Sequence, residues 1–230
     1  MVSQLAALER PVLAVDVVLL GRQRDQIEIA LHRRSEAPFV GTLALPGVAV
    51  QVDETLAQAA QRALETKLGI AHPAQAAIHL EQLATFDALF RDPRGRTVSA
   101  AYLALTRLQL PLSASAAWQP IAAVSSGTLP FDHDEVLAVA LERLRGKLRY
   151  TAIAAHLLPE RFHIEELRAV YEAVLGRQLN RSNFRSRLLK IGLIERVGID
   201  SEHVGQHGGR PPHLYRFVSP GRLGQERDIF

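Results

Sequence analysis

The segment that most constrains this chain runs from Val48 to Ile70 and directly follows the tripeptide Leu45-Pro46-Gly47. Its apolar side chains recur at helical spacing, and those expected to face a core are Leu56, Ala60, Leu64 and Leu68. This pattern predicts an amphipathic helix over residues 53–68, with Asp53 as its N-cap. The polar residues of the same segment follow a second pattern, which is chemical.

Those polar positions resemble the Nudix box, the catalytic motif of hydrolases that cleave nucleotide diphosphates. The positions that match this motif are Glu54, Arg62, Leu64, Gly69 and Ile70. Val48 stands where the family has a glycine. The positions where the family has three glutamates hold Ala63, Thr66 and Lys67. The mismatches therefore fall on one chemical task.

That task is the binding of a divalent metal. Residues 63, 66 and 67 share a helical face, so three carboxylates there would converge on one Mg²⁺. The metal could then bridge a diphosphate and activate a water molecule. This chain offers a methyl, a hydroxyl and an ammonium group instead, and Glu54 alone cannot hold the ion. Glu65 lies at a variable position of the motif and is expected to point away from this face. Since one carboxylate remains, we expect no metal site, no cofactor and no catalytic residue.

Composition divides the chain into two unlike parts. A length of 230 residues is enough for two domains with separate cores, and the absence of cysteine excludes disulfides and thiolate metal sites. With no membrane-spanning apolar run and no secretion signal, a cytoplasmic protein that does not enter membranes is expected. The net charge of +3 lies wholly in residues 151–230, because residues 1–150 hold as many acidic as basic side chains. A local basic excess suits a polyanionic partner.

Residues 1–149 have the pattern of an α/β domain. Apolar alternation and turn signals predict strands on both sides of a helix, then a closing helix with Asp132 as its N-cap. The strands are predicted at Val12–Leu20, Ile27–Arg33, Leu43–Leu45, Ile78–Leu89 and Thr97–Leu108, and the closing helix at Asp134–Leu148. This is also the element order of Nudix domains. We therefore expect a Nudix-like α/β/α sandwich that senses an effector.

Residues 150–230 change to short helices followed by a hairpin. Helical spacing from Ile164 to Leu175 ends at Gly176, and Asn180 caps a second helix. That second helix is Arg181–Ile191, and strands follow at Leu193–Val197 and Leu214–Val218. Two helices, a tight turn and a hairpin are the order of a smaller winged helix-turn-helix domain, which we expect here.

The second helix is basic on its exposed side. Phe184, Leu188 and Ile191 face the core, and no acidic residue lies on the helix. In a helix-turn-helix, the start of the second helix enters the major groove. The predicted DNA contacts are Arg181, Ser182, Asn183 and Arg185 at base edges, Arg187 and Lys190 at phosphates, with Ser186 on the same side and Arg210 in the wing. The alternatives are a solvated basic face, an RNA-binding module and a protein-interaction module.

Over nearly its whole length the chain resembles the Nudix-related transcriptional regulators called NrtR, which fuse a Nudix-like domain to a winged helix. The residues that carry the resemblance are Arg33-Arg34, Pro38-Phe39, Ala44-Leu45-Pro46-Gly47, the run from Arg91 to Arg96, Val98-Ser99, Phe131-Asp132-His133, Val170-Tyr171-Glu172, Asn183-Phe184-Arg185, Gly209-Arg210-Pro211 and the run from Leu214 to Phe217. The resemblance implies a repressor of genes of NAD metabolism that senses ADP-ribose, or an NAD-related nucleotide, without cleaving it. Val48 and Ala49 depart from the family's pattern, which changes the shape of the pocket.

A diphosphate bound without metal needs cationic partners, and the candidates are Arg34, Arg62, Lys67, Arg94 and Arg96. We hypothesise that Lys67, at a metal-ligand position, supplies the counter-charge. Under the alternative, Arg62 forms a structural salt bridge and Lys67 points to solvent or pairs with an acid. Phe39 is a candidate for stacking on an adenine, whereas Trp118 and Phe131 are expected to be packing residues.

Besides the RNA-binding and protein-interaction modules named above, three functions remain open at this point. The leading one is a homodimeric repressor that reads a double-stranded operator, since helix-turn-helix proteins commonly read two half-sites. A Nudix hydrolase of nucleotide diphosphates and a sugar-responsive regulator of the same family are the alternatives.

Overall fold

The computed structural model describes residues 10–23, 26–107, 110–124, 127–200 and 211–218. Its Cα positions divide the chain into two compact units. The first unit comprises Met1–Leu19, Ile29–Ala104 and Leu110–Ala140, and the second comprises Leu20–Glu28, Leu105–Gln109 and Leu141–Phe230. The predicted domain boundary between residues 149 and 150 stays a prediction. Among the described residues, no helix is long and apolar enough to cross a membrane.

A sheet forms the frame of the first unit. In the described part of the chain its strands are β1 (Val12–Gln23), β2 (Gln26–Arg33), β3 (Leu43–Ala44), β4 (Gly47–Ala49), β5 (His79–Phe86), β6 (Thr97–Thr106) and β7 (Ala116–Pro120). Strands β3, β2, β1, β6 and β5 are neighbours in this order, while β4 also pairs with β1 and β7 with β2. Strands β1 and β6 lie inside the sheet and are buried on both faces, which explains their continuous apolar runs.

Helix α1 (Leu56–Leu68) covers this sheet with small side chains. Ala59, Ala60 and Ala63 are fully buried in the same cluster as Val15 of β1. The helix begins later than predicted because Thr55, not Asp53, is its N-cap. The Thr55 side chain accepts a hydrogen bond from the backbone of Gln58, and the Gln58 side chain accepts one from the backbone of Thr55. Gly69 ends the helix in the left-handed region, with φ of 74°.

Several local predictions for the first unit were wrong. Strands β4 and β7 are short and were not predicted. Strand β5 ends at Phe86 rather than Leu89, because residues 87–96 form the loop that positions Arg91. Asp132 directly precedes helix α2 (His133–Leu148), but its carboxylate accepts hydrogen bonds from Arg91 instead of capping the helix. A buried arginine needs anionic partners, and that demand outweighs the cap.

The second unit contains a winged helix-turn-helix, as predicted. Its described elements are α3 (Ile164–Leu175), α4 (Arg181–Lys190), β8 (Phe162–His163), β9 (Ile194–Ile199) and β10 (His213–Phe217), and the strands are ordered β8-β10-β9. Gly176 ends α3 with φ of 67°. The ring centroids of Tyr171 and Phe184 lie 5.2 Å apart, which joins α3 to α4. The α/β class and both predicted architectures are therefore confirmed.

Candidate functional site

The first unit contains an open cleft of about 840 Å³ with a predominantly cationic lining. Its floor comes from β1, β2 and β4, and one wall comes from α1. The basic residues that line it are Arg33, Arg34, Arg62, Lys67, Arg91 and Arg94, and the acidic ones are Asp16, Glu36 and Asp92. An excess of positive charge in a concave site favours an anionic ligand.

Glu54, the glutamate that matches the Nudix box, forms an ion pair with Arg62. The Nε and Nη2 atoms of Arg62 donate to the two carboxylate oxygens of Glu54 at 2.9 and 2.5 Å. Arg62 also donates to the carbonyl of Ala49 at 2.8 Å, and the backbone N–H of Gln51 donates to Glu54 at 2.8 Å. The hydrogen bond from Arg62 is the main reason that the pKa of Glu54 is lowered to about 2. This is the structural salt bridge of the alternative interpretation for Arg62.

The three positions that hold glutamates in the Nudix box have separate environments. Ala63 is fully buried in the core. Thr66 donates its hydroxyl hydrogen to the carbonyl of Arg62 at 2.7 Å. Lys67 is half-buried, lines the cleft, and makes no hydrogen bond or ion pair with another described residue. Of the three, Lys67 is therefore the one whose polar group is available to a ligand.

His32 on β2 lines the same cleft and was not predicted as a site residue. Its side chain is buried, with 8% exposed. Burial and then the charges of Lys67 and Arg34 lower the pKa of His32 to about 4. His32 is therefore neutral at pH 7. It offers the cleft a hydrogen-bonding group that can gain a proton when a ligand brings negative charge.

A buried charge network lies beneath the cleft. Arg91 donates to Asp16 at 2.9 Å and to both oxygens of Asp132 at 2.7 Å. Ser99 donates to Asp16 at 2.7 Å, and His133 Nε2 lies 3.6 Å from the other Asp16 oxygen. Burial raises the pKa of Asp16, but the hydrogen bonds and positive charge of these neighbours outweigh it and hold the pKa well below its usual range.

Two features fix the position of this network. The Nδ1 atom of His133 accepts a hydrogen bond from the backbone N–H of Leu45 at 3.1 Å, so the N–H group of the ring lies at Nε2, which faces Asp16. Gly47 pairs with Asp16 across β4 and β1. A Cβ atom at Gly47 would lie only 2.2 Å from Oδ1 of Asp16, so this approach requires glycine. The Pro46-Gly47 turn is thereby held against the cleft floor.

An aromatic and guanidinium cluster forms another part of the cleft lining. The guanidinium carbons of Arg34 and Arg94 lie 4.8 and 5.6 Å from the ring centroid of Phe131. Arg94 is held by Asp92, with contacts of 3.0 and 2.7 Å, and Arg34 donates to the carbonyl of Pro38 at 2.8 Å. Phe131 is thus a cleft residue as well as a packing residue. A planar group entering here would meet both an aromatic ring and planar cations.

The structure brings together some of the predicted ligand-binding residues and not others. Arg34, Arg62, Lys67 and Arg94 all line the cleft. Arg96 lies outside the cleft lining and donates to the carbonyls of Asp87 and Ala88 at 2.7 and 3.2 Å. Phe39 also lies outside it and packs edge-on against Phe131, with centroids 5.0 Å apart. The sequence signal that could have found His32 is its two-residue spacing from Arg34, which places both on one side of an extended chain.

The basic helix α4 has the predicted cap and core contacts. The Asn180 side chain accepts a hydrogen bond from the N–H of Asn183 at 3.0 Å, and Phe184 and Leu188 are buried. Ile191 is half-buried and follows the last helical residue as the C-cap. It lies where the chain leaves the helix, so one side of it stays open to solvent.

The predicted DNA-contacting residues have unequal surroundings. Arg181, Ser182, Asn183, Ser186, Arg187 and Lys190 are exposed, and Arg185 is half-buried. Arg181 forms an ion pair with Glu165 of α3, and Glu165 also contacts Arg168 at 2.9 Å. The first arginine of α4 is therefore oriented by the preceding helix. Arg210 lies outside the described residues.

Comparison with known proteins extends over both units. The family model described as NUDIX domain matches residues 10–143, and the model described as NrtR DNA-binding winged helix domain matches residues 154–217. The ADPR responsive transcriptional repressor NtrR of Acinetobacter baylyi is 35% identical over 215 residues, which are 90% of this chain and 82% of that protein.

Solved structures give the same result. The crystal structure of Shewanella oneidensis NrtR has a TM-score of 0.74 and 31% identity, covering 90% of this chain and 94% of that one. The same protein complexed with a 27mer DNA gives 0.72 and 33%, with 90% and 93% covered. Its NUDIX domain complexed with ADP ribose gives 0.53 and 35%, with 60% and 92% covered. This chain therefore belongs to the NrtR family, in which a Nudix domain is joined to a DNA-binding winged helix domain.

Proposed function

We propose that this chain is a transcriptional repressor that binds operator DNA through its winged helix and senses ADP-ribose, or a closely related NAD-derived nucleotide, in the cleft. The observation that carries the proposal is the combination, in one chain, of a cationic cleft and an exposed basic helix. Support comes from the Acinetobacter baylyi relative, which is named as ADPR responsive, and from the NrtR structures with DNA and with ADP ribose. Control of NAD metabolism stays a prediction.

The ligand-binding part of the proposal rests on the charges of the cleft. Among the described cations that line the cleft, Lys67 is the one without a hydrogen bond or ion pair to another described residue, and it lies close enough to His32 to lower the pKa of that ring. A diphosphate placed here would receive a charge-assisted hydrogen bond from Lys67 and could accept another from His32. Arg34, Arg94 and Phe131 offer a stacking surface for a planar base. Arg62 is paired with Glu54, and Arg96 and Phe39 lie outside the cleft lining, so the ligand-binding roles of these three residues stay predictions.

We further infer that the cleft recognises its ligand without hydrolysing it. A Nudix-type metal site needs several carboxylates on one helix face. On α1 that face presents Ala63, which is buried, and Lys67, whose charge repels a cation. The carboxylate of Glu54 is negatively charged, but it is paired with Arg62 at 2.5 Å. The chemistry supported by these side chains is anion binding.

A DNA-binding titration tests the proposal. A fluorescent duplex from the region upstream of the protein's own gene would be titrated with the full chain, followed by ADP-ribose. We expect binding that ADP-ribose reverses. Arg181→Ala and Arg185→Ala should each weaken binding, whereas Arg161→Ala, which removes an exposed arginine elsewhere in the second unit, should not. Arabinose serves as the probe for a sugar-responsive regulator, and release by arabinose alone would contradict the assigned effector.

The proposed active species is a homodimer, since a helix-turn-helix protein commonly reads two half-sites related by two-fold symmetry. The effector would shift the population towards a dimer geometry that cannot span both half-sites. Light scattering on the free and DNA-bound protein should give two chains per duplex. One chain per duplex would contradict the dimer.

A further inference from the structure

One exposed row of helix α4 carries no charge. Phe184 and Leu188 are 2% and 0% exposed, so they define the inward side of the helix. At 3.6 residues per turn, the opposite side is centred on Ser186, with Ser182 and Lys190 about 40° from its centre and Leu189 about 60° from it. Ser182, Ser186 and Leu189 have the spacing i, i+4 and i+7, and all three are exposed. They form an uncharged row on the outward half of this basic helix.

The charged residues of α4 flank this row. Arg185 is half-buried and lies nearer to the core side, while Lys190 is exposed and borders Ser186 on the side away from Leu189. Arg181 is also off the row and is held by Glu165. When such a helix enters a major groove, flanking cations lie beside the phosphate walls and the uncharged row faces the base pairs.

Leu189 is the apolar member of the row, with 39% of its surface exposed. A helical side chain leans towards the N-terminus, so Leu189 covers the turn that contains Arg185 and Ser186. A single exposed leucine on a protein surface is ordinary. Its place on the row that faces the bases gives this one a role, because the major groove offers one apolar group, the C5-methyl of thymine.

We propose that Leu189 is a specificity-determining residue that packs against the C5-methyl group of a thymine in the operator, with the hydroxyls of Ser182 and Ser186 beside the neighbouring bases. This rests on the proposed DNA-binding function of the chain. Small hydroxyl side chains allow the helix to approach the base pairs closely, which a leucine contact to a methyl group requires.

A uracil scan tests the contact at the level of one methyl group. The full chain would first select its preferred duplex from a random library. Each thymine of that duplex would then be replaced singly by deoxyuridine, which lacks only the methyl group. We expect one position in each half-site at which the replacement weakens wild-type binding by about fourfold, the effect of burying one methyl group. Leu189→Ala should bind the thymine duplex at least as weakly as the wild type binds the deoxyuridine duplex. Replacing that thymine by deoxyuridine should weaken the binding of Leu189→Ala no further.

Control variants separate this contact from other roles of Leu189. Leu189→Met keeps an apolar side chain and should retain the sensitivity to deoxyuridine. Val52→Ala, which removes an exposed apolar side chain from the first unit, should behave as wild type. If Leu189→Ala keeps the full sensitivity to deoxyuridine, the inference is overturned. It is also overturned if the variant keeps this sensitivity and loses affinity only because its dimer dissociates. If the wild-type chain selects no duplex at all, the proposed DNA-binding function fails, and the inference with it.

Discussion

Lys67 and His32 face the same cleft, and the ammonium group of Lys67 contributes to lowering the pKa of His32 to about 4. A lysine thus stands where a Nudix hydrolase has a metal-binding glutamate, and in the described part of the chain no acid pairs with it, so its charge acts on the cleft. Its neighbour Arg62, by contrast, is cancelled by Glu54 at 2.5 Å. The two cations of α1 therefore have different tasks: Arg62 supports the structure and Lys67 is available to an anion.

Reversing the charge of Lys67 should remove effector binding. Lys67→Glu is expected to weaken ADP-ribose binding by about 10- to 100-fold, the range of a lost hydrogen bond to a charged group. Lys67→Arg should restore most of the affinity because it keeps the charge. Isothermal titration calorimetry measures both. Glu65→Lys reverses an exposed charge on the same helix and serves as the matched control, and equal affinities for all four proteins would refute the role of Lys67.

ADP-ribose binding should strengthen as the pH falls. The pKa of His32 is about 4 in the folded protein without ligand, below its value of 6.5 in the unfolded chain. Protonation of His32 therefore opposes folding, and its effect on stability appears as the pH falls from 6.5 towards 4. A bound diphosphate raises the pKa of His32, so binding takes up a proton in this window.

Calorimetry in buffers of different ionisation heat measures that proton uptake. We expect uptake in the wild-type protein below about pH 6.5 and its loss in His32→Gln. Identical proton uptake in the two proteins would show that another group is responsible.

The buried network around Arg91 should be sensitive to loss of its cation. Arg91→Met leaves the carboxylates of Asp16 and Asp132 without their arginine, and we expect it to lower the free energy of unfolding by about 3–5 kcal/mol. Arg96→Met is the control, because Arg96 is exposed and contacts only loop carbonyls, and it should change stability by no more than about 0.5 kcal/mol. Urea unfolding gives both values. A cost for Arg91→Met as small as that of the control would mean that the network does not stabilise the fold.

A methyl group at Gly47 should disrupt the cleft floor. In Gly47→Ala the new Cβ meets Oδ1 of Asp16, and we expect a loss of about 1–3 kcal/mol from overpacking. Gly146 lies within helix α2 and has open space around it, so Gly146→Ala should stabilise by about 0.5–1 kcal/mol. Thermal unfolding of the two variants should therefore shift in opposite directions. If the unfolding temperatures of both variants shift in the same direction, the predicted clash between a Cβ at position 47 and Asp16 is contradicted.

Local sequence patterns were sufficient for the elements and the fold. Helical spacing located α1, α3 and α4 to within a few residues, and the spacing of Glu54 and Arg62 set the register of the box on α1. The start of α1 differs because a threonine and a glutamine three residues apart form a capping box, a stronger signal than the aspartate at 53. Short strands such as β4 carry too few residues to show a period.

The cleft network depends on contacts that no local pattern contains. Arg91 meets Asp16 and Asp132 across 75 and 41 residues of sequence, and Ser99 meets Asp16 across 83. His32 is one of four polar or charged residues in β2, and only the packing of β2 near α1 places it beside Lys67. Phe131 was expected to pack, and the structure adds two guanidinium groups within 6 Å of its ring. These residues become visible only when the sheet is assembled.

The most direct test of the central claim is calorimetric titration of ADP-ribose into the wild-type protein, once in EDTA and once in Mg²⁺, with chromatography of the nucleotide afterwards. If the charge of Lys67 stands in for the metal, the dissociation constant will be the same in both buffers and ADP-ribose will be recovered intact. Binding that needs Mg²⁺, or conversion of ADP-ribose to AMP and ribose 5-phosphate at an enzymatic rate, would contradict the claim.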